Sequence, residues 1–194
     1  NAEDYGLVGM LAIFSGIAST IINSGFSVAL TNKLDATHKD YNAVFWFSFV
    51  VSICLYIVLF FSAPLIASFY DRQELVNLSR VIFASFLFSG MAIVPHVILF
   101  KQLQVKMQAK IDVFALFLSG MCGVLLAFNG FAYWALAIQS TVYVASASLL
   151  KWMVVSWRPS LDFSIEPLKE MFPFSVKLFN SLFLWISAKK LETT

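Results

Sequence analysis

Hydrophobic positions in this chain form long runs, and short polar links separate them. A helix that crosses a bilayer requires about 20 mostly apolar residues. Five runs meet this length and predict spans over residues 7–30, 43–70, 79–100, 110–128 and 131–151. The last two belong to one long apolar stretch, which the turn dipeptide Asn129-Gly130 divides into a helical hairpin. The runs are apolar on all sides rather than alternating, so they predict an all-α polytopic transmembrane bundle over residues 1–155.

Two further segments follow this bundle. Residues 156–176 predict an amphipathic elbow on the membrane surface, in which Leu168, Met171 and Phe172 form the apolar face of a short helix. An irregular linker is the alternative for this segment. Residues 177–194 predict the truncated start of a sixth span, so we expect the chain to be a fragment of a longer protein.

Composition agrees with a membrane protein. Hydrophobic residues make up 60% of the chain and charged residues 12%, against about 45–50% and about 25% in soluble domains. The net charge of +2 offers no basic surface for nucleic acid, so no nucleic-acid partner is expected. Cys54 and Cys122 lie inside apolar runs without a second ligand nearby, which favours small hydrophobes over a metal site or disulfide.

Basic residues are divided unequally between the two sides of the predicted bundle. If every run crosses the membrane, the links at 31–42, 101–112 and 151–176 share one side and hold eight Lys and Arg residues. The opposite side holds Arg72 and Arg80. Because positively charged links face the cytoplasm, the first residue of the chain is predicted on the outer side.

Motifs for catalysis or cofactor binding are missing from the sequence. It contains no GxGxxG, Walker, HExxH or CxxC pattern, and its acidic residues lie in or beside the links. We therefore expect no enzymatic activity, no cofactor and no metal.

Polar side chains inside spans are costly, which makes them candidates for a substrate path. Four residues qualify: Asn23, His96, Gln139 and, at the mouth of its span, Asp112. Each has a structural alternative. The two amides can bond across helices, His96 can lie at the membrane interface, and Asp112 can cap its helix or pair with Lys110.

Six segments of the chain resemble one family of membrane proteins. They are DYGLVGMLAIF, SGFSVALTNK, APLIASFYDRQELVNLSR, ILFKQLQVKMQAKID, NGFAYWALAIQ and WRPSLDFSIEPLKEMFPFS. In this order the chain resembles the polysaccharide-transporter family, the Wzx-like lipid-linked oligosaccharide flippases of the multidrug/oligosaccharidyl-lipid/polysaccharide exporter superfamily. Within it, the chain is most similar to the branch of lipopolysaccharide or exopolysaccharide biosynthesis proteins.

The resemblance implies a location and a function. Members carry two pseudo-symmetric helical bundles around a central cavity in the bacterial inner membrane. By alternating access they move undecaprenyl-diphosphate-linked oligosaccharide from the cytoplasmic to the periplasmic leaflet, driven by an ion gradient. The implied partners are this lipid-linked substrate, the bilayer and other membrane proteins of polysaccharide assembly.

Cations on the predicted cytoplasmic side indicate where a substrate headgroup would be collected. Five lysines are candidate headgroup contacts: Lys33, Lys39, Lys101, Lys106 and Lys110. The alternative, which the sequence favours, is that they only set the orientation of the bundle.

Two other functions stay open at this point. One is a drug or cation antiporter of the same superfamily, which would require a carboxylate buried within the spans. The other is a membrane enzyme of glycan assembly that resembles an O-antigen polymerase, for which a large outer loop or a charged intramembrane cluster would be expected.

Overall fold

The structure, a computed structural model, describes residues 2–22, 26–162 and 164–172. The regular secondary structure of these residues is helical. The main helices are α1 (Ala2–Ile22), α2 (Phe26–Asn32), α3 (His38–Phe69), α4 (Leu75–Lys101), α5 (Val105–Phe128) and α6 (Ala132–Val154). A further helical segment occupies residues 166–172. The predicted all-α fold is confirmed. Asn23 and the predicted truncated span at 177–194 lie outside the described residues.

Three of the described helices, α3, α4 and α5, are long and apolar enough to cross a membrane. Gly9–Ile22 and Phe26–Asn32, with 43° between them, pass the same test together, and the number is four if this bent pair is one span. The predicted fifth span corresponds to α6, which does not pass this test. The helix carries one glutamine and four serine or threonine residues, which lower its hydropathy. Large apolar side chains on α3 and α5, among them Phe61 and Phe117, are exposed as expected for surfaces that face lipid.

The helices extend beyond the apolar runs that predicted them. Lysine, glutamine, methionine and alanine are good helix formers, so most of the polar stretch after Phe100 is helical and only residues 102–104 form the turn. Leu103 makes this turn with a φ of +55°. Lys101 therefore ends α4, and Lys106 and Lys110 lie on α5, where the sequence predicted a link.

The helix α4 lies at the centre of the described bundle. It packs against α3 on one side and α6 on the other, and α6 packs in turn against α5. The helix α1 lies against α3, α4 and α6, whereas α2 lies against α3 and α4. Although a tight turn joins α4 to α5, these two helices touch only sparsely, which leaves a cleft between them.

Hydrogen bonds from α6 to the backbone of α4 set the direction and register of this pair. The Thr141 hydroxyl donates to the Val81 carbonyl at 3.2 Å, and the Ser148 hydroxyl donates to the Phe88 carbonyl at 3.1 Å. Donors and acceptors are both spaced by seven residues (141 to 148, 81 to 88), so α4 and α6 run parallel. The helix α5 runs antiparallel to α6, because a turn with Gly130 at a φ of +83° joins them.

The chain after α6 folds back onto the start of α3. The buried Asn42 side chain donates to the Asp162 carbonyl at 2.6 Å and accepts from the Ser160 N–H at 2.9 Å. The Trp46 indole donates to the Ser160 carbonyl at 2.8 Å. These bonds fix the first part of the predicted elbow against the bundle.

The helical segment at 166–172 packs partly on the protein. Leu168 and Met171 are buried, whereas Phe172, predicted on the same apolar face, is 58% exposed. The Lys33 ammonium donates to the Glu170 carboxylate at 2.8 Å, which ties this segment to the connection between α2 and α3. Residues 173–176 of the predicted elbow lie outside the described part of the chain.

The helices α3 and α4 approach closely where Gly90 faces Ser52. A Cβ atom at Gly90 would lie 1.9 Å from the Ser52 Oγ and 2.7 Å from the Ser52 Cβ. The Ser52 side chain is buried, and its hydroxyl donates to the Ser48 carbonyl at 2.7 Å. Small residues permit such close contact between helices in a membrane.

Replacing Gly90 with alanine should destabilise the α3–α4 pair, because the added methyl group would overlap the Ser52 side chain. We expect a loss of about 1–3 kcal/mol, measured as a lower melting temperature in detergent. Gly120→Ala is the matched control, since a Cβ atom there meets nothing within 4 Å. Adding Ser52→Gly should restore part of the loss, and equal melting temperatures for the two alanine variants would contradict the close packing.

Candidate functional site

A cleft of about 270 Å³ lies between α4, α5 and α6, towards the end of the bundle that carries Lys101. Ten residues line it: Ser89, Ala92, Ile93, His96, Asp112, Tyr143, Val144, Ala147, Ser148 and Lys151. His96 and Asp112, which were separate candidates in the sequence, meet in this cleft. Tyr143 and Lys151 join them from α6.

Asp112 and Lys151 form an ion pair between α5 and α6. The Lys151 Nζ lies 3.8 Å from the Asp112 Oδ1, which is a charge contact but longer than a hydrogen bond. The lysine side chain is 14% exposed and the aspartate side chain 46%. The cation is therefore the more buried partner, and its donors can also reach a second anion. The sequence suggested two alternatives for Asp112, a helix cap or an ion pair with Lys110. The residue lies in the interior of α5, so it does not cap this helix.

One backbone hydrogen bond of α4 is missing beside His96, and α6 replaces it. Proline has no N–H, so Pro95 leaves the Met91 carbonyl, four residues earlier, without its helical donor. The Trp152 indole N–H donates to that carbonyl at 3.1 Å. Because His96 follows Pro95 and Lys151 precedes Trp152, this bond holds both cleft residues at the same level of the bundle.

His96 also contacts the start of α5. The Gln108 Nε2 donates to the His96 carbonyl at 3.2 Å and lies 3.4 Å from the His96 Nδ1. The His96 side chain is exposed and lines a second cavity, of about 220 Å³, between α2 and α4. Ser27 and Thr31 of α2 contribute to this cavity, so polar surface extends from the cleft towards α2.

Gln139 occupies a different place. Its side chain lies against α5, where a Cβ atom at Gly123 would be 2.6 Å from the Gln139 Oε1. It lines a third cavity, of about 520 Å³, with Gly9, Ala12, Leu116, Ser119, Leu136, Ser140 and Tyr143. Tyr143 lines both this cavity and the cleft. Gln139 is thus not brought together with His96, and Asn23 lies outside the described residues.

Two of the five predicted headgroup lysines are bonded within the protein. Lys33 donates to Glu170 at 2.8 Å and to Asp40 at 3.0 Å, and these hydrogen bonds raise the pKa of Lys33. Lys101 donates to the Leu30 carbonyl at 3.2 Å and to the Lys33 carbonyl, which places a cation at the end of α2. Both lysines therefore stabilise the connection between α2 and α3.

The other three predicted lysines, Lys39, Lys106 and Lys110, are exposed. They lie outside the residues that line the cleft. Among the described residues, no three His, Cys, Asp or Glu side chains are grouped so that they could hold a metal ion.

Sequence reasoning used Lys151 only to orient the bundle and did not identify it as a site residue. A hairpin at Asn129-Gly130 brings together residues at similar distances from the turn, and Asp112 and Lys151 flank the two ends of the charge-free stretch. The same antiparallel register places Gly123 against Gln139. The ion pair could therefore have been predicted from the hairpin.

Replacing Trp152 with phenylalanine should leave the Met91 carbonyl without a donor. We expect a loss of stability of about 1–3 kcal/mol, the usual cost of an unsatisfied buried polar group. Pro95→Ala supplies the missing backbone N–H, so the tryptophan substitution should cost less in that background. A double-mutant cycle of melting temperatures measures the difference, and equal losses in both backgrounds would mean that Trp152 acts through packing alone.

Residues that line the cleft should be accessible to water. After Cys54 and Cys122 are replaced by alanine, Ala92→Cys in the cleft should react with a charged, membrane-impermeant thiol reagent. Val50→Cys is the matched control, because Val50 is 53% exposed on α3 but belongs to an apolar surface that lipid would cover, where a charged reagent is excluded. Equal labelling of the two cysteines would contradict a hydrated cleft.

Comparisons with known proteins agree with the resemblance of the sequence segments. Residues 1–193 match a family model described as "Polysaccharide biosynthesis protein". The teichuronic acid biosynthesis protein TuaB of Bacillus subtilis (strain 168) is 31% identical over 159 residues, which cover 81% of this chain and 33% of TuaB. The chain thus spans about a third of the length of this curated relative. No solved structure matches it. The chain belongs to the polysaccharide biosynthesis protein family, and its long apolar helices make it a membrane protein of that family.

Proposed function

We propose that this chain forms part of a transporter that moves an undecaprenyl-diphosphate-linked oligosaccharide from the cytoplasmic to the periplasmic leaflet of the bacterial inner membrane. The observation that carries the proposal is the cleft in which His96, Asp112 and Lys151 meet within a largely apolar bundle. The family match and the similarity to a teichuronic acid biosynthesis protein support a polysaccharide precursor as cargo. The transport step breaks no covalent bond, and the proposal assigns no cofactor or metal to the chain.

The physical need for such a cleft follows from the charge of the cargo. A diphosphate cannot enter hydrocarbon without a compensating partner, because burying an unpaired charge is very costly. Lys151 offers an ammonium group with three N–H donors. Its partner Asp112 is nearly half exposed, so the carboxylate can turn towards water when a phosphate takes its place. His96 and Tyr143 supply further polar contacts for phosphate or sugar oxygens.

The directions of the helices support a cytoplasmic mouth for the cleft. Because α4 and α6 run parallel and α5 runs antiparallel to them, the cations Lys101, Lys106 and Lys151 fall at one end of the bundle. Lysine-rich ends face the cytoplasm. In this orientation the cleft would collect the lipid-linked precursor from the cytoplasmic leaflet. Alternating access would then open the cleft to the periplasmic side.

We assign the exposed lysines Lys39, Lys106 and Lys110 to orientation rather than to headgroup binding. They lie outside the cleft, and surface charges are strongly screened by salt. Lys33 and Lys101 already bond to groups of the protein. Lys151 is the cation that the cleft presents to a ligand.

The test is a flipping assay with the full-length protein in proteoliposomes, a fluorescent undecaprenyl-diphosphate sugar and an imposed ion gradient. Lys151→Gln should reduce transport by about tenfold or more, because hydrogen bonds to a charged group contribute about 1.5–3 kcal/mol. Lys106→Gln removes an exposed lysine outside the cleft and is the matched control, which should transport normally.

Two results would contradict this account. Failure of the unaltered protein to move its cognate lipid would refute the flippase proposal. A loss in Lys106→Gln as large as that in Lys151→Gln would instead show that the exposed lysines take part in headgroup capture.

A further inference from the structure

We propose that the cleft and the 520 Å³ cavity form one two-part site, in which Lys151 binds the diphosphate and the larger cavity holds the first isoprenoid units of the carrier lipid. The two volumes share Tyr143 as a lining residue. This inference rests on the proposed function, and it adds the place at which the lipid part of the cargo is recognised.

The larger cavity has the chemistry of an apolar binding site. Its volume falls within the range of about 300–1,000 Å³ that is typical of ligand sites. Leu116 and Leu136 supply its apolar wall, together with the small residues of α1. Its two serine hydroxyls, on Ser119 and Ser140, donate to carbonyls of their own helices at 3.0 and 2.8 Å. The other polar groups of the lining are the Gln139 amide and the Tyr143 hydroxyl, and Tyr143 lies at the border with the cleft.

The order of the two volumes matches the order of charge in a prenyl diphosphate. Lys151 lies near the end of α6, and Gln139 lies twelve residues earlier, about 18 Å along the helix axis. The charged group of the lipid would thus rest near the membrane surface, while its chain would extend towards the interior of the bilayer. The site and the ligand have the same polarity along the same axis.

Tyr143 lies at the junction of the two volumes. It is partly buried and stands eight residues before Lys151 and four after Gln139 on α6. A tyrosine has an apolar ring and a polar tip, which suits the point where the chain of a lipid meets its phosphate. The site would therefore select for a single chain attached directly to a diphosphate. A nucleoside diphosphate sugar lacks the chain, and a phospholipid carries a different headgroup and two chains.

Binding of two probes separates the two parts of the site. The probes are farnesyl diphosphate and inorganic diphosphate, titrated calorimetrically into the full-length protein in phosphatidylcholine nanodiscs, with empty nanodiscs as the blank. Ser140→Phe fills the larger cavity from an exposed position on α6, and Ala12→Phe fills it independently from α1. Leu149→Phe is the matched control, because Leu149 is 59% exposed on α6 and lines neither volume.

The expected pattern is specific. Each filling variant should weaken the binding of farnesyl diphosphate by about tenfold, equivalent to about 1.4 kcal/mol. The binding of inorganic diphosphate should be unchanged. Lys151→Gln should weaken the binding of both probes, and Leu149→Phe should weaken the binding of neither.

Three results would each contradict a different part of the proposal. If both filling variants bind farnesyl diphosphate like the unaltered protein while Lys151→Gln weakens it, the lipid subsite is refuted and the proposed transport function stands. If Lys151→Gln changes neither probe, the cleft is not the headgroup site and the proposed site of transport fails with it. If added phosphatidylglycerol displaces farnesyl diphosphate at equal concentration, the cavity is a general lipid groove and the inference is overturned.

Discussion

A backbone carbonyl inside a membrane protein needs a hydrogen-bond donor, and at Met91 the donor comes from another helix. Pro95 withholds the usual N–H, and the Trp152 indole replaces it. An unsatisfied carbonyl is costly in hydrocarbon, so this hydrogen bond adds to the packing that holds α6 against α4. The cleft depends on it, because His96 and Lys151 are the immediate neighbours of the two residues that form the bond.

The same requirement explains how α6 can be polar inside an apolar bundle. Thr141 and Ser148 donate to carbonyls of α4, and Ser140 and Ser146 donate to carbonyls of α6 itself. These hydroxyls lower the hydropathy of the helix, yet each has an acceptor within the protein. The helix α6 packs against α4 and α5, and its charged residue Lys151 lines the cleft between these helices.

The cations of the bundle divide by what surrounds them. Lys33 and Lys101 are held by carboxylates and carbonyls around the end of α2, where they join α2, α3, α4 and the segment at 166–172. Lys106 is exposed, and we propose that it contributes to orientation. Lys151 differs from Lys106 because its side chain is only 14% exposed, and from Lys33 because its carboxylate partner lies beyond hydrogen-bond distance. This combination is the physical basis for assigning anion binding to Lys151.

By itself the sequence determined the all-α class, the apolar helices and the hairpin at Asn129-Gly130, because hydropathy and turn preference are local properties of the chain. The pairing of Asp112 with Lys151 could also have been predicted from the sequence, because the hairpin brings these two positions together. The tertiary structure alone decided that His96 shares their cleft while Gln139 lines another cavity. Those outcomes depend on which faces neighbouring helices turn towards each other. Contacts between helices set these faces, through close packing such as that of α3 with α4 and through hydrogen bonds from α6 to α4, and no local pattern encodes them.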